Sequence, residues 1–95
     1  MPKSYWVYMM ASRWHVIYVG VTNNLSRRVW QHKNAHRTAF TGRYMVNRLV
    51  WFEGGGDIRE MIVREKQLKA WSHRRKVELI ESLNPTWKDL SDDWR

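Results

Sequence analysis

A glutamate stands where an amphipathic helix should be apolar. Ile58, Met61, Ile62 and Leu68 mark one stripe at the helical repeat, and Glu65 falls inside it, seven residues after Ile58 and three before Leu68. A carboxylate turned toward a core needs a cation, a metal ion or hydrogen bonds, because a bare charge is costly to bury. The plainer reading of Glu65 is a structural salt bridge to an arginine. The chemical reading is a ligand to a hard cation, since one carboxylate with several waters suits Mg²⁺.

Three further groups carry chemistry. Arg28 and His32 are four residues apart and share a helix face, beside an expected inward stripe of Leu25, Val29 and His36. The planar fork of an arginine offers a phosphate two charge-assisted hydrogen bonds. A histidine near it can act as acid, base or phosphate donor. Arg28 could instead pack its stem on a sheet and pair with Glu65, and packing is the better account of His32 taken alone. Tyr8 and Tyr18 lie in two candidate strands; a tyrosine transfers protons only if cations or a metal lower its pKa. Ser72-His73-Arg74-Arg75-Lys76 puts positive charge at a helix start, against the macrodipole, which suits a phosphate contact or a solvated basic face. Arg27, Lys33, Arg43, His73, Arg74 and Arg75 are the candidate nucleic-acid contacts.

The elements that must position these residues are legible from pattern. Tyr5 to Met10 and Val16 to Val19 read as strands joined by a hairpin loop over Ala11 to His15, with Gly20 ending the second. If the loop is those five residues, Met10 pairs with Val16 and Tyr8 lies opposite Tyr18 on one face; a four-residue loop would put them on opposite faces. Asn23 or Asn24 caps a helix from Leu25 to about His36, and Arg37 to Tyr44 reads as loop. Asn47 to Glu53 reads as a third strand, broken by Gly54-Gly55-Gly56. Asp57, with Glu60, starts a helix to about Ala70, and Ser72 starts another to near Leu83, before Asn84-Pro85. The order β-β-α-β-α-α predicts an α+β fold, a three-stranded antiparallel sheet flanked by helices, as one domain over residues 1–95.

Composition narrows the partner. Lys and Arg number 17 against 9 Asp and Glu, a net charge of +8, which favours a polyanion. No long apolar run predicts a transmembrane helix, and no basic amphipathic helix has a broad apolar face for lipid, so nucleic acid is favoured over membrane. The short, bulky apolar run after Met1 to Tyr5 does not suit a signal peptide. With no cysteine there is no disulfide, thiolate metal site or cysteine nucleophile, and a reducing cytoplasm is the expected location. One or two of the seven tryptophans could stack on bases.

Taken together, these residues resemble a known family. Trp6-Val7-Tyr8, followed ten residues later by Tyr18-Val19-Gly20, is similar to the two half-motifs of the GIY-YIG nucleases. Asn24-Leu25-x-x-Arg28 resembles the family's helix segment with its catalytic arginine, and Glu65 in Arg64-Glu65-Lys66-Gln67-Leu68-Lys69 resembles its metal-binding glutamate. The likeness is to small stand-alone members of the YhbQ type and spans nearly the whole chain. It implies a Mg²⁺- or Mn²⁺-dependent endonuclease that hydrolyses phosphodiester bonds, structure-selective rather than sequence-selective, with DNA as substrate and a place in repair or recombination. Glu65 would hold the metal, Arg28 would clamp the phosphate, and Tyr8 or Tyr18 would deprotonate or orient the attacking water. His32 falls where relatives carry a Tyr or His near the phosphate. The chain departs from the pattern at Trp6 and Val7, at Val21 in place of a frequent lysine, and at the family's later asparagine, for which Asn84 is the candidate. A catalytically weak or inactive nucleic-acid-binding module is the alternative, and an RNA- or ribosome-associated protein a third. A chain this small contacts few phosphates, which suits a homodimer or a recruiting protein.

Overall fold

The most apolar strand lies at the centre of the sheet. In the computed structural model, which describes residues 4–36 and 39–94, β1 (Tyr5–Ala11) pairs antiparallel with β2 (Ile17–Thr22) and β3 (Arg48–Gly55), giving the order β2-β1-β3. The segment before Ser4, the first two residues of the expected loop (Arg37 and Thr38) and Arg95 lie outside the described residues. Helices α1 (Leu25–Lys33), α3 (Ile58–Ala70) and α4 (His73–Leu83) flank the sheet, and a four-residue helix α2 (Phe40–Arg43) lies between α1 and β3. This is the expected α+β arrangement, with α2 added. Side-chain caps start the three longer helices: Asn24 accepts from the Arg27 N–H, Asp57 from Arg59 and Ser72 from Arg75.

Alternation along β1 sends successive side chains to opposite faces. Val7, Met9 and Ala11 join Val19, Trp51, Met61, Leu68 and Ile80 in one apolar cluster, under α3 and α4. Tyr8 and Met10 join Leu25, Val29, Val46 and Leu49 in a second, under α1. The helices carrying Arg28 and Glu65 therefore lie on opposite faces of the sheet.

Several boundaries and one register differ from the pattern reading. The hairpin loop is Ser12 to Val16, so Ala11 pairs with Ile17, Met10 with Tyr18 and Tyr8 with Gly20. Ser12 sets this: its N–H donates to the Val16 carbonyl, its Oγ accepts from the Trp14 and Val16 N–H groups, and His15 takes a left-handed φ of 65°. The shift is by two in the pairing sum, so Tyr8 and Tyr18 keep a common face but are diagonal neighbours, not opposite ones. Gly20 does not end β2, and Gly54 does not end β3. Each is the flat spot beneath an aromatic ring of β1: a Cβ on Gly20 would lie 2.5 Å from Tyr8 Cζ, and one on Gly54 2.5 Å from Trp6 Cζ3. The α1 helix closes at Lys33, with Asn34 as its C-cap, and its buried stripe is Leu25, Val29 and His32, with His36 exposed beyond the helix end. Ending the helix early removes His36 from its face and leaves His32 as the inward residue. Val50 is an extra residue in β3, because Met9 pairs with Trp51 and Met10 with Leu49. The carbonyl of this bulge accepts a hydrogen bond from Asn84 Nδ2 at 3.1 Å.

Candidate active site

The absence of a side chain at Gly20 lets the Tyr8 ring lie across β2 toward its outer edge. There the phenol meets α1. Tyr8 is fully buried, and its hydroxyl lies 2.6 Å from His32 Nε2. His32 Nδ1 in turn lies 3.2 Å from Thr41 Oγ1 on α2. The half-buried Tyr18 completes the cluster, its ring centroid 4.8 Å from that of His32 and 6.2 Å from that of Tyr8. Among the described residues no buried side-chain polar atom lacks a hydrogen-bond partner, so this polar face is fully satisfied.

Burial sets the protonation states. It lowers the His32 imidazole to about 4, helped by the positive charge of Arg28, so the ring is neutral at physiological pH. Burial, with Tyr18 nearby, pushes the Tyr8 phenol well above its ordinary value, and the Arg28 guanidinium offsets only part of that. The nearby Tyr8 oxygen in turn raises Arg28 further against its own desolvation. A guanidinium can only donate, so it meets the Tyr8 oxygen as acceptor. We accordingly assign the Tyr8 proton to His32 Nε2 and the Nδ1 proton to Thr41 Oγ1.

Arg28 itself is exposed, and its Nη1 donates to Gln31 Oε1 at 2.9 Å. With its remaining N–H donors it forms a wall common to two depressions. The smaller, about 330 Å³, is lined by Tyr18, Arg28, Gln31, His32, Phe40 and Thr41, among others. The larger, about 650 Å³, runs from Arg27, Arg28 and Gln31 past Val21 to Ile58 at the start of α3, around the open edge of β2. An anion seated at Arg28 would touch both.

The remaining residues expected at the site are placed variously. Glu65 lies on α3 under the other face, partly buried between Met61 and Leu68, with its Oε2 3.3 Å from Lys69 Nζ. Its ion partner is therefore Lys69, not Arg28. Arg27 lines the larger cleft. Lys33 is held 2.7 Å from Asp89, a carboxylate that burial would raise but that Lys33, Ser91 and the Leu49 N–H keep below its ordinary value. Arg43 lies 5.6 Å over the Tyr44 ring. The α4 cluster is exposed and has surface partners: His73 Nε2 lies 2.8 Å from the His15 carbonyl, Arg74 pairs with Glu78, and Arg75 stacks 4.1 Å over Trp71. Asn84 holds Val50 and Lys88 and is buried, a structural post. Thr41 and Gln31 were not expected at the site. Thr41 sits in a stretch read as loop, and nothing in its local sequence points to a histidine nine residues earlier.

A sheet that brings two tyrosines, a histidine and an exposed arginine to one edge defines a small α+β domain with a cationic, aromatic edge. Residues 4–78 match the family model described as the GIY-YIG catalytic domain, and the chain belongs to the GIY-YIG family, a nuclease family. It is similar to the UPF0213 protein CPE1444 of Clostridium perfringens, at 36% identity over 78 residues that cover 81% of this chain and 83% of that protein. Its fold is that of the solution NMR structure of the UPF0213 protein BH0048 from Bacillus halodurans. There the TM-score is 0.57 at 23% identity, with 95% of this chain and 97% of that one covered.

Proposed function

We propose that the chain is a divalent-metal-dependent endonuclease that hydrolyses phosphodiester bonds in DNA, selecting structure over sequence. The observation that carries this is Arg28: an exposed guanidinium, backed by Tyr8 and standing between the hollow of Tyr18 and His32 and the cleft along the β2 edge. Arg28 would bind the scissile phosphate through its fork and oppose charge developing on it. Tyr18 is the tyrosine that lines the hollow, so it is placed to orient the attacking water, while the buried Tyr8 holds Arg28 and His32 in position. His32, neutral and tied at both nitrogens, is a positioning group here.

Among the described residues no three His, Asp or Glu side chains gather as a metal cage. The donor set fits an ion that keeps most of its waters, for which one carboxylate suffices. Glu65 would supply it, Lys69 being its exposed and movable partner. Such an ion contributes charge stabilisation at the leaving oxygen. DNA is the expected partner from the charge of +8, and a cytoplasmic place in repair or recombination fits a cysteine-free, structure-selective enzyme. A panel of labelled single-stranded, duplex and branched DNAs, incubated with Mg²⁺ and with Mn²⁺, tests the proposal. Wild type should cleave at least one substrate, and Glu65→Gln should lose at least about 100-fold in rate while binding DNA as before. Wild type that cleaves none leaves the second reading, a nucleic-acid-binding module of the same fold. The pairing of Glu65 with Lys69 and the presence of Val21 in the cleft favour that reading.

A further inference from the structure

Aromatic rings lead out of the hollow onto the surface. Tyr18 is followed by Phe40 at 6.1 Å between centroids, and Phe40 by Tyr44 at 4.9 Å. Phe40 and Tyr44 are 48% and 44% exposed, although each carries a large apolar ring. Their helix is nonetheless anchored. Thr41, 4% exposed, bonds to His32 through its side chain and accepts the Val46 N–H at 2.8 Å through its carbonyl. Fixing Thr41 inward turns the neighbouring Phe40 outward at the rim of the hollow that Arg28 also lines. Arg43 adds a positive charge over Tyr44.

From this arrangement we infer that Phe40 and Tyr44 form a stacking shelf for an unpaired nucleobase adjacent to the phosphate held by Arg28. The inference rests on the reading of this edge as a nucleic-acid site and names what that site selects: a nucleotide whose base has left its own stack. A base has an apolar face and is tethered to its phosphate, so an aromatic shelf beside a guanidinium receives both parts at once. A duplex, whose bases are stacked inside, cannot reach the shelf without unstacking. This gives a physical source for structure selectivity that does not depend on reading base edges.

The test uses the Glu65→Gln chain without divalent metal, so that binding is read apart from cleavage. The probe is a single-stranded DNA oligonucleotide containing 2-aminopurine, with a matched duplex and a matched strand of abasic sites. Phe40→Ala should weaken binding of the single strand about tenfold and abolish the change in 2-aminopurine fluorescence, with little effect on duplex or abasic strand. Phe40→Tyr should restore both. Arg43→Gln should instead lower the salt dependence of binding by about one ion, which Phe40→Ala should leave unchanged. Equal binding of the abasic and normal strands overturns the shelf while leaving the phosphate site standing; loss of all binding in Arg28→Ala with no Phe40 effect does the same. A wild-type chain that elutes as a dimer and becomes monomeric in Phe40→Ala assigns the rings to a second copy and also overturns it. Failure to cleave in the metal panel bears on the endonuclease reading alone.

Discussion

The two faces of β1 differ by a single residue step and by almost everything else. Val7 and Met9 point into a cluster of aliphatic, methionine and tryptophan side chains beneath α3 and α4. Tyr8, between them, points under α1 and ends in a hydroxyl bonded to a histidine that is bonded to a threonine. On the first face any well-shaped apolar residue would serve, because its attraction is non-directional. On the second, each polar atom requires one partner in one geometry, and losing any partner leaves a buried group unsatisfied. The first face thus supplies stability alone, while the second sets its polar chain in an apolar cluster of Met10, Leu25, Val29, Val46 and Leu49 that holds an imidazole and a phenol far from their ordinary titration ranges.

That division can be tested by perturbing one face at a time. The largest effect on stability should come from Leu68→Ala on the apolar face, where the side chain is fully buried. A loss of about 2–5 kcal/mol is expected in urea unfolding, with DNA affinity unchanged at temperatures where the variant is folded. If affinity fell in parallel, the faces would be coupled through the sheet. Next in size is Arg28→Ala on the polar side, which should reduce cleavage about 10²–10³-fold with little change in urea midpoint, since the residue is exposed. Arg28→Lys should recover only part of the rate, because an ammonium lacks the planar fork.

The smallest expected effect sharpens the comparison through pH. The His32 pKa is depressed to about 4 in the fold, against about 6.5 for the unfolded chain, so between these values the unfolded state binds the additional proton. Stability is then complete above about pH 6.5 and falls as pH drops toward about 4, by on the order of 2 kcal/mol. Thermal melts of wild type and His32→Gln across this range should show a steeper acid loss in wild type. Parallel curves would mean that the imidazole is not held neutral.

Much of the frame was readable from local pattern. The three helix caps, the alternation along β1 that separates Tyr8 from Val7 and Met9, and the odd placement of Glu65 on its helix all follow from spacing. The hairpin register was not readable, because a serine side chain could close the turn one residue later than the apolar run suggested. Gly20 and Gly54 read as strand ends because their role, lying flat beneath rings on a neighbouring strand, is invisible within their own segment. The basic run at the start of α4 read as a phosphate contact or a solvated basic face, and the contact of His73 with the His15 carbonyl, 58 residues away, is one that the helix pattern could not show.

By itself, the sequence determined the types of the elements other than α2, the α+β class, the surplus of positive charge and most of the chemically able residues, all set by nearest-neighbour sterics, periodicity and composition. Only the tertiary structure decided which of those residues meet. It brought His32, rather than His36, inward, tied it to Tyr8 and to Thr41, and set Arg28 between two depressions at the sheet edge. It paired Glu65 with Lys69, one turn along its own helix. The reason is physical: periodicity fixes which way a side chain leaves its own helix or strand, but its partner is chosen by how the elements pack, as in the contact between Tyr8 and His32, 24 residues apart.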